Sequence, residues 1–308
     1  FFFKQKTAYE IKECDWSSDV CSSDLWAEAA PMALVFLAFF LVPLALVVMV
    51  SFWDWNDWEM IPTFTTRAYT ETFEGCLTKL PEACTMLKTY GSTVKFCFLV
   101  WASTLLIGFT VAYFLAFHVR SKTWQIVLSL ICTIPFWTSN VIRMIAWIPL
   151  LGRNGLVNKG LVGMGIVDKP VEWLLYSEFS VVLALVHLFT FFMVIPIFNS
   201  MIRIDKALIE AAYDAGATGW QTLWNVIVPL CKPGIVIGSI FVVTITMGDF
   251  VTIGVMGGQQ IASAGKVVET HLNALQFPVA AANAVILLGV TLMIIATLSK
   301  LVDVRKEL

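Results

Sequence analysis

Two ionisable residues, Arg143 and Asp249, interrupt long apolar stretches of the sequence. A charged side chain surrounded by lipid costs about 2.5–3.5 kcal/mol on insertion scales, so such residues face an interior cavity and find a partner. Pairing Arg143 with Asp249 would satisfy both charges. Alternatively, Asp249 could contact a solute cation, with Trp137 adding a cation–π interaction. Both hypotheses stay open, and Asn140, one turn before Arg143, belongs to the same interior set.

The composition decides where these residues must lie. Of 308 residues, 58% are apolar and 14% are charged, whereas soluble domains carry about 25% charged residues. One compact core of this size cannot enclose so many apolar side chains, so most of them must face lipid. The net charge of -2 leaves no basic face for nucleic acid. The sequence therefore predicts a polytopic membrane protein that does not bind nucleic acid.

Six segments are long and apolar enough for membrane helices, which need about 20 residues each. We therefore predict an all-α fold with six transmembrane helices. Pro135 and Pro149 flank the polar residues of the third segment, so we expect a kinked or cavity-lining helix there. In the fourth segment, His187 is expected to be a hydrogen-bonded core histidine rather than a proton relay. The six segments lie near 30–52, 91–118, 124–149, 179–201, 233–256 and 278–302.

The distribution of Lys and Arg predicts the orientation, because positive residues favour the cytoplasmic side. They are densest after the second segment, after the fourth segment and in the C-terminal tail. Both termini are therefore expected in the cytoplasm. The residues that carry this bias are Arg120, Lys122, Arg203, Lys206, Lys232, Lys300, Arg305 and Lys306.

The first 25 residues differ from the rest of the chain. They are polar and rich in Ser and Asp, and the membrane pattern begins abruptly at Trp26. The runs 4–11 and 15–25 resemble the translation of a short-read sequencing adaptor. We interpret residues 1–25 as a non-native segment and exclude them from the fold; a native cytoplasmic tail is the alternative.

The predicted outer loop between the first two segments carries two cysteines and several acids. If this loop faces an oxidising compartment, Cys76 and Cys84 can close a small disulfide. The acids of the loop, among them Glu71, Glu74 and Glu82, could help to dock a soluble partner outside.

The connection between the fourth and fifth segments has the pattern of two short helices separated by a break. Residues 207–215 are good helix formers, and Gly216 can adopt a left-handed backbone at a helix end. Thr218 can cap a second helix, which we expect to end near Val228, before Pro229. We therefore predict a helix-turn-helix outside the bilayer.

This loop, about residues 203–232, resembles the EAA motif of the inner-membrane permease subunits of binding-protein-dependent ABC importers. The shared residues are Glu210-Ala211-Ala212, Gly216 after three further residues, and Val226, Val228 and Pro229 after nine more. Valine replaces the usual Ile and Leu and keeps the apolar face. A bare E-A-A run is common, but Gly and Pro at these spacings make the match specific.

Three further segments resemble the spermidine/putrescine type of permease, namely residues 135–143, residues 155–158, and residues 248–251 together with 256–258. The resemblance covers nearly all of residues 90–308, which we predict to be the core, with 26–89 forming the first helix and the outer loop. It implies a polyamine as the solute. Related permeases carry ferric iron, opines, phosphonates or thiamine, so these solutes stay open, and an ion-coupled secondary transporter is a more distant alternative.

The resemblance also implies partners and roles. The loop would form coupling helices that dock on a cytoplasmic ATP-binding subunit, which binds ATP and Mg²⁺, while this chain has no cofactor. A second permease subunit, forming a heterodimer, and a periplasmic substrate-binding protein would complete an importer of the bacterial inner membrane. The interior residues Trp137, Asn140, Arg143 and Asp249 would line the translocation pathway. The coupling residues would be Glu210, Ala211, Ala212, Asp214, Gly216 and Pro229.

The chain is not expected to be an enzyme. It contains no G-x-x-x-x-G-K-[ST] phosphate-binding loop, no nucleophile motif and no Cys/His spacing typical of a metal site. We therefore predict no catalytic and no metal-ligating residues, and a chain that moves a solute while another chain hydrolyses ATP.

Overall fold

The computed structural model describes residues 29–56, 59–74, 76, 84–119 and 121–300. These residues fall into two compact units that divide between Val50 and Ser51. The predicted non-native segment 1–25 lies outside the described residues, as do Glu82, Arg120, Arg305 and Lys306. The predicted boundary at residue 90 stays a prediction.

The described residues are mostly helical, as predicted. The first unit holds the helix α1 (Ala29–Val50). The second begins with a short antiparallel pair, β1 (Asp54–Trp55) and β2 (Met60–Ile61), in which Trp55 pairs with Met60. The helices that follow are α2 (Arg67–Thr72), α3 (Thr85–His118), α4 (Lys122–Trp137), α5 (Asn140–Leu151), α6 (Leu156–Gly163), α7 (Glu178–Met201), α8 (Lys206–Asp214), α9 (Gly219–Gly248), α10 (Val251–Met256), α11 (Ala264–Asn273) and α12 (Phe277–Lys300).

Five helices within the described residues are long and apolar enough to cross a membrane: α1, α3, α7, α9 and α12. The all-α polytopic fold is thereby confirmed. The third predicted span is instead divided into α4 and α5, because the backbone at Ser139 is extended, with ψ of 133°. Each half is shorter than the roughly 20 residues that a membrane crossing needs. The count of six spans stays a prediction.

Helix α7 lies at the centre of the second unit and packs against α3 and α9. Its side chains Leu185, Met193 and Ile197 are fully buried. Glycines allow the neighbouring helices to approach closely, as is common between membrane helices. A Cβ atom at Gly234 of α9 would lie 2.4 Å from the carbonyl oxygen of Pro196, and one at Gly108 of α3 would lie 2.9 Å from Met193 Cγ.

Polar side chains also join the helices. Trp101 Nε1 of α3 donates a hydrogen bond to Ser239 Oγ of α9 at 2.9 Å. The loop between α5 and α7 is held by Asn158, whose amide nitrogen donates to the carbonyls of Gly152 and Val171 at 3.0 Å each. The Asn158 side chain also accepts from the Val171 N–H at 2.7 Å. Asn158 is 1% exposed, and its hydrogen bonds hold the loop together. Its role in the 155–158 segment is therefore to stabilise this loop.

Candidate functional site

The predicted helix-turn-helix is present after α7 and consists of α8 and the first part of α9. Helix α8 begins after Asp205, whose carboxylate accepts the Ala207 N–H at 3.0 Å. It ends at Gly216, which adopts a φ of +84°. The N–H of Ala217 bonds to the carbonyl of Ala212 at 3.0 Å, which is the Schellman arrangement for closing a helix with a left-handed glycine.

The second helix begins at Thr218 with a capping box. The Thr218 N–H donates to Gln221 Oε1 at 2.8 Å, and the Gln221 N–H donates to Thr218 Oγ1 at 3.4 Å. Two reciprocal bonds of this kind satisfy the free N–H groups of a helix start. The turn therefore has a fixed backbone on both sides of Gly216.

The prediction that this second helix ends near Val228 is wrong. Helix α9 continues through Pro229 and Pro233 to Gly248. A wider, π-type turn at Leu223–Ile227 precedes the prolines, and the Val228 N–H bonds to the Leu223 carbonyl. This local change of hydrogen-bond pattern lets the helix continue where proline would otherwise interrupt the ladder.

One face of the helix-turn-helix is exposed. Ile209 and Leu223 pack against the core, whereas Leu208 and Tyr213 are about half exposed, at 49% and 52%. Of the predicted coupling residues, Ala212 is half-buried and the others are exposed: Glu210, Ala211, Asp214, Gly216 and Pro229. This face presents small residues, acids and apolar side chains together, which suits it to contact another protein.

Sequence reasoning did not single out an aromatic pair on this loop. Trp220 and Trp224 are 69% and 53% exposed, with ring centroids 5.7 Å apart in an edge-to-face arrangement. Their i, i+4 spacing on a helix was the available signal. A cavity of about 620 Å³ is lined by α7, α8, α9 and the connection between α7 and α8, with Arg203 from the connection, Leu208 from α8 and Leu230 from α9.

Asn140 and Asp249 line a common cavity of about 370 Å³. Asn140 begins α5, directly after the break that follows α4, while Asp249 lies at the break between α9 and α10. Two helix interruptions therefore meet at one cavity. Interrupted helices that border a cavity are typical of solute sites in transporters.

The hypothesis of an Arg143–Asp249 ion pair is wrong. Asp249 instead caps α10, accepting the Thr252 N–H at Oδ1 and the Thr252 hydroxyl at Oδ2, at 2.8 and 2.7 Å. Arg143 donates from Nη2 to Asn140 Oδ1. Among the described residues, the ion pairs include neither Arg143 nor Asp249. Thr252 satisfies Asp249 locally, so the carboxylate does not need the guanidinium.

Two other predicted residues lie apart from this cavity. Trp137 ends α4 and is 83% exposed, but it does not line the cavity at Asp249. His187 accepts a hydrogen bond from Trp147 Nε1 at 3.2 Å, as expected, but it is exposed, so the predicted core position is wrong. In the part of the chain that the structure describes, no three His, Cys, Asp or Glu residues are grouped to hold a metal ion.

In the outer loop, Cys76 and Cys84 form a disulfide bond, with Cα atoms 4.7 Å apart. Nearby, Arg67 donates to Glu71 at 3.1 Å and to Asp54 at 3.2 Å. The hydrogen bond to Glu71 is the main reason that the pKa of Arg67 is raised above its ordinary value. On α11, the hydrogen bond from Lys266 lowers the pKa of Glu269.

Comparison with known proteins identifies the family. The model of the family described as binding-protein-dependent transport system inner membrane component matches residues 104–304. The spermidine/putrescine transport system permease protein PotB of Escherichia coli is 33% identical over 208 residues, which cover 66% of this chain and 74% of that protein. PotB of Haemophilus influenzae is 29% identical over 286 residues, covering 90% and 96%.

A solved structure shares the fold. The crystal structure of a bacterial ABC transporter that imports the acidic polysaccharide alginate superposes with a TM-score of 0.66 at 18% identity. The match covers 92% of this chain and 96% of that one. With the family model matching residues 104–304, the chain belongs to the family of inner-membrane permease components of binding-protein-dependent ABC importers.

Proposed function

We propose that this permease carries a polyamine of the spermidine/putrescine class into the cell. The observation that supports this solute is the similarity to PotB proteins at 29% to 34% identity. The cavity at Asp249 agrees with a cationic solute, because no cationic side chain among the described residues neutralises this carboxylate. Asn140 and Arg143 would complete the lining of the pathway, with Trp137 at an exposed position along it.

The helix-turn-helix would couple this chain to a separate ATP-binding subunit. Its exposed face carries the EAA residues, and a face with small side chains allows close approach of another backbone. In this proposal the partner binds ATP and Mg²⁺ and hydrolyses ATP. Closure of the ATP-binding subunits would tilt α9 and so alternate the access of the pathway between the two sides.

The same proposal includes an orientation of the chain in the membrane and its assembly with other subunits. Arg203, Lys206 and Lys232 flank the loop, and the positive-inside rule places such residues in the cytoplasm together with both termini. One permease chain would form half of the pathway, with a related chain forming the other half as a heterodimer. A periplasmic binding protein would deliver the solute, in agreement with the solved alginate transporter complex, which contains a periplasmic protein.

The test is the ATPase activity of the co-purified complex in liposomes with its binding protein. Spermidine, putrescine, ferric iron and a phosphonate would be compared for wild type and Glu210→Ala. We expect stimulation by a polyamine and its loss in Glu210→Ala. The matched control is Glu172→Ala, because Glu172 is an exposed acid outside the loop that forms only a surface ion pair with Arg153. Stimulation by another solute alone would overturn the polyamine assignment.

A further inference from the structure

A third cavity, of about 580 Å³, lies between α2, the start of α3, α11 and the start of α12. It shares no lining residue with the cavity at Asp249. Its volume falls within the range of about 300–1,000 Å³ that is usual for small-molecule sites. In the proposed orientation it opens on the periplasmic side.

The rim of this cavity is acidic. Glu71 and Glu74 line it and are both exposed. One oxygen of Glu71 accepts a hydrogen bond from Arg67, which leaves the other oxygen available. The Glu74 backbone N–H donates to the Glu71 carbonyl at 3.1 Å, whereas the Glu74 carboxylate has no hydrogen-bond or ion-pair partner among the described residues. The other ionisable residues of the lining are Tyr90 and His271, and His271 Nδ1 lies 2.8 Å from Gln276 Oε1.

The deeper wall offers neutral oxygens. Thr89 and Asn283 line the cavity and are 5% and 4% exposed. The Asn283 amide nitrogen donates to Thr72 Oγ1 and to the Val279 carbonyl. Within the described residues, Asn283 Oδ1 and Thr89 Oγ1 have no hydrogen-bond partner. Both oxygens can accept hydrogen bonds from a ligand in the cavity that brings N–H groups.

We infer that this cavity is a second binding site for an organic ammonium ion of the polyamine class. A primary ammonium has three N–H donors and no acceptor. A linear chain with an ammonium at each end can place one near the acidic rim and the other near the neutral oxygens. This inference rests on the proposed function, and it adds a solute contact on the side from which the binding protein delivers.

A divalent metal ion fits the cavity less well. Calcium takes about 6–8 oxygen ligands, and the described residues contain no grouping of three candidate ligands. The occupant is therefore the organic cation rather than a metal ion.

The test measures equilibrium binding of radiolabelled spermidine to the whole transporter complex in nanodiscs, without the binding protein. The variants are Glu74→Gln, which removes one charge at the rim, and Thr89→Val, which removes one deep hydroxyl at nearly constant volume. Glu172→Gln is the matched control on an exposed acid elsewhere. Asp249→Asn reports on the other cavity. Uptake of spermidine into liposomes with the binding protein is measured in parallel.

We expect saturable binding that is about tenfold weaker in Glu74→Gln, weakened in Thr89→Val, and unchanged in Glu172→Gln. If wild type takes up spermidine but neither Glu74→Gln nor Thr89→Val weakens binding, this inference is overturned and the proposed function stands. The inference is likewise overturned if Asp249→Asn is the one variant that abolishes binding, or if added calcium displaces all the bound spermidine. Absence of polyamine uptake by wild type would overturn the proposed function itself.

Discussion

Thr252 holds Asp249 through two hydrogen bonds, one from its backbone N–H and one from its hydroxyl, to different carboxylate oxygens. The Thr252 side chain is 1% exposed. These two bonds cap α10 and fix the orientation of Asp249. Among the described residues, Asp249 is the one acid that lines the cavity of about 370 Å³.

The first prediction concerns the Thr252 hydroxyl. Thr252→Val removes it with little change of volume, whereas Thr252→Ser keeps it. A hydrogen bond to a charged group contributes about 1.5–3 kcal/mol, so we expect uptake to fall by about tenfold or more in Thr252→Val and to stay near wild type in Thr252→Ser. Solute uptake per assembled complex measures this. Equal loss in both variants would show that the methyl group, not the hydroxyl, matters.

The second prediction concerns the turn of the coupling loop. Gly216→Ala places a Cβ on a residue with φ of +84°, and a left-handed backbone costs an L-residue about 1–2 kcal/mol. We expect ATPase activity that is no longer stimulated by the solute-loaded binding protein. Gly216→Asn should be milder, because Asn tolerates this conformation. The control is Gly163→Ala, where a Cβ meets nothing within 4 Å; equal effects at both glycines would contradict the prediction.

The third prediction concerns the contact between α7 and α9. Gly234→Ala would place a Cβ 2.4 Å from the Pro196 carbonyl oxygen and 2.5 Å from Ser200 Oγ. We expect destabilisation of about 1–3 kcal/mol, as for an overpacked core. Thermal unfolding of the purified protein in detergent measures it. Gly289→Ala on α12, where a Cβ meets nothing within 4 Å, should be neutral or stabilising, and a similar melting point for both variants would refute the packing argument.

Much of the fold could be predicted because its signals are local. The apolar segments are long, and the turn at Gly216 follows from residue types within a few positions. The continuation of α9 through Pro229 could not be predicted in this way, because it depends on the wider turn at Leu223–Ile227. Proline in a sequence is typical of a helix end, whereas here the backbone changes its hydrogen-bond pattern before Pro229 and the helix continues.

The candidate sites were less predictable because they depend on tertiary contacts. Charge at membrane depth suggests Arg143 and Asp249 as partners of each other. Each instead bonds to a nearer residue along the chain, Arg143 to Asn140 and Asp249 to Thr252. The sequence suggests for the acidic loop residues Glu71 and Glu74 only the docking of a soluble partner. In the structure they line one cavity together with Asn283 of α12, and this arrangement depends on the packing of distant segments.

The uninterrupted course of α9 has a mechanical consequence. At 1.5 Å per residue, its 30 residues form a rod about 45 Å long, with the coupling turn at one end and Asp249 just beyond the other. In the proposed function, such a rod would act as a lever arm. A rotation of about 5° about the coupling end would displace the far end by about 4 Å, which is larger than the length of a hydrogen bond. A small movement of the loop would then be sufficient to make or break contacts at the cavity that Asp249 lines.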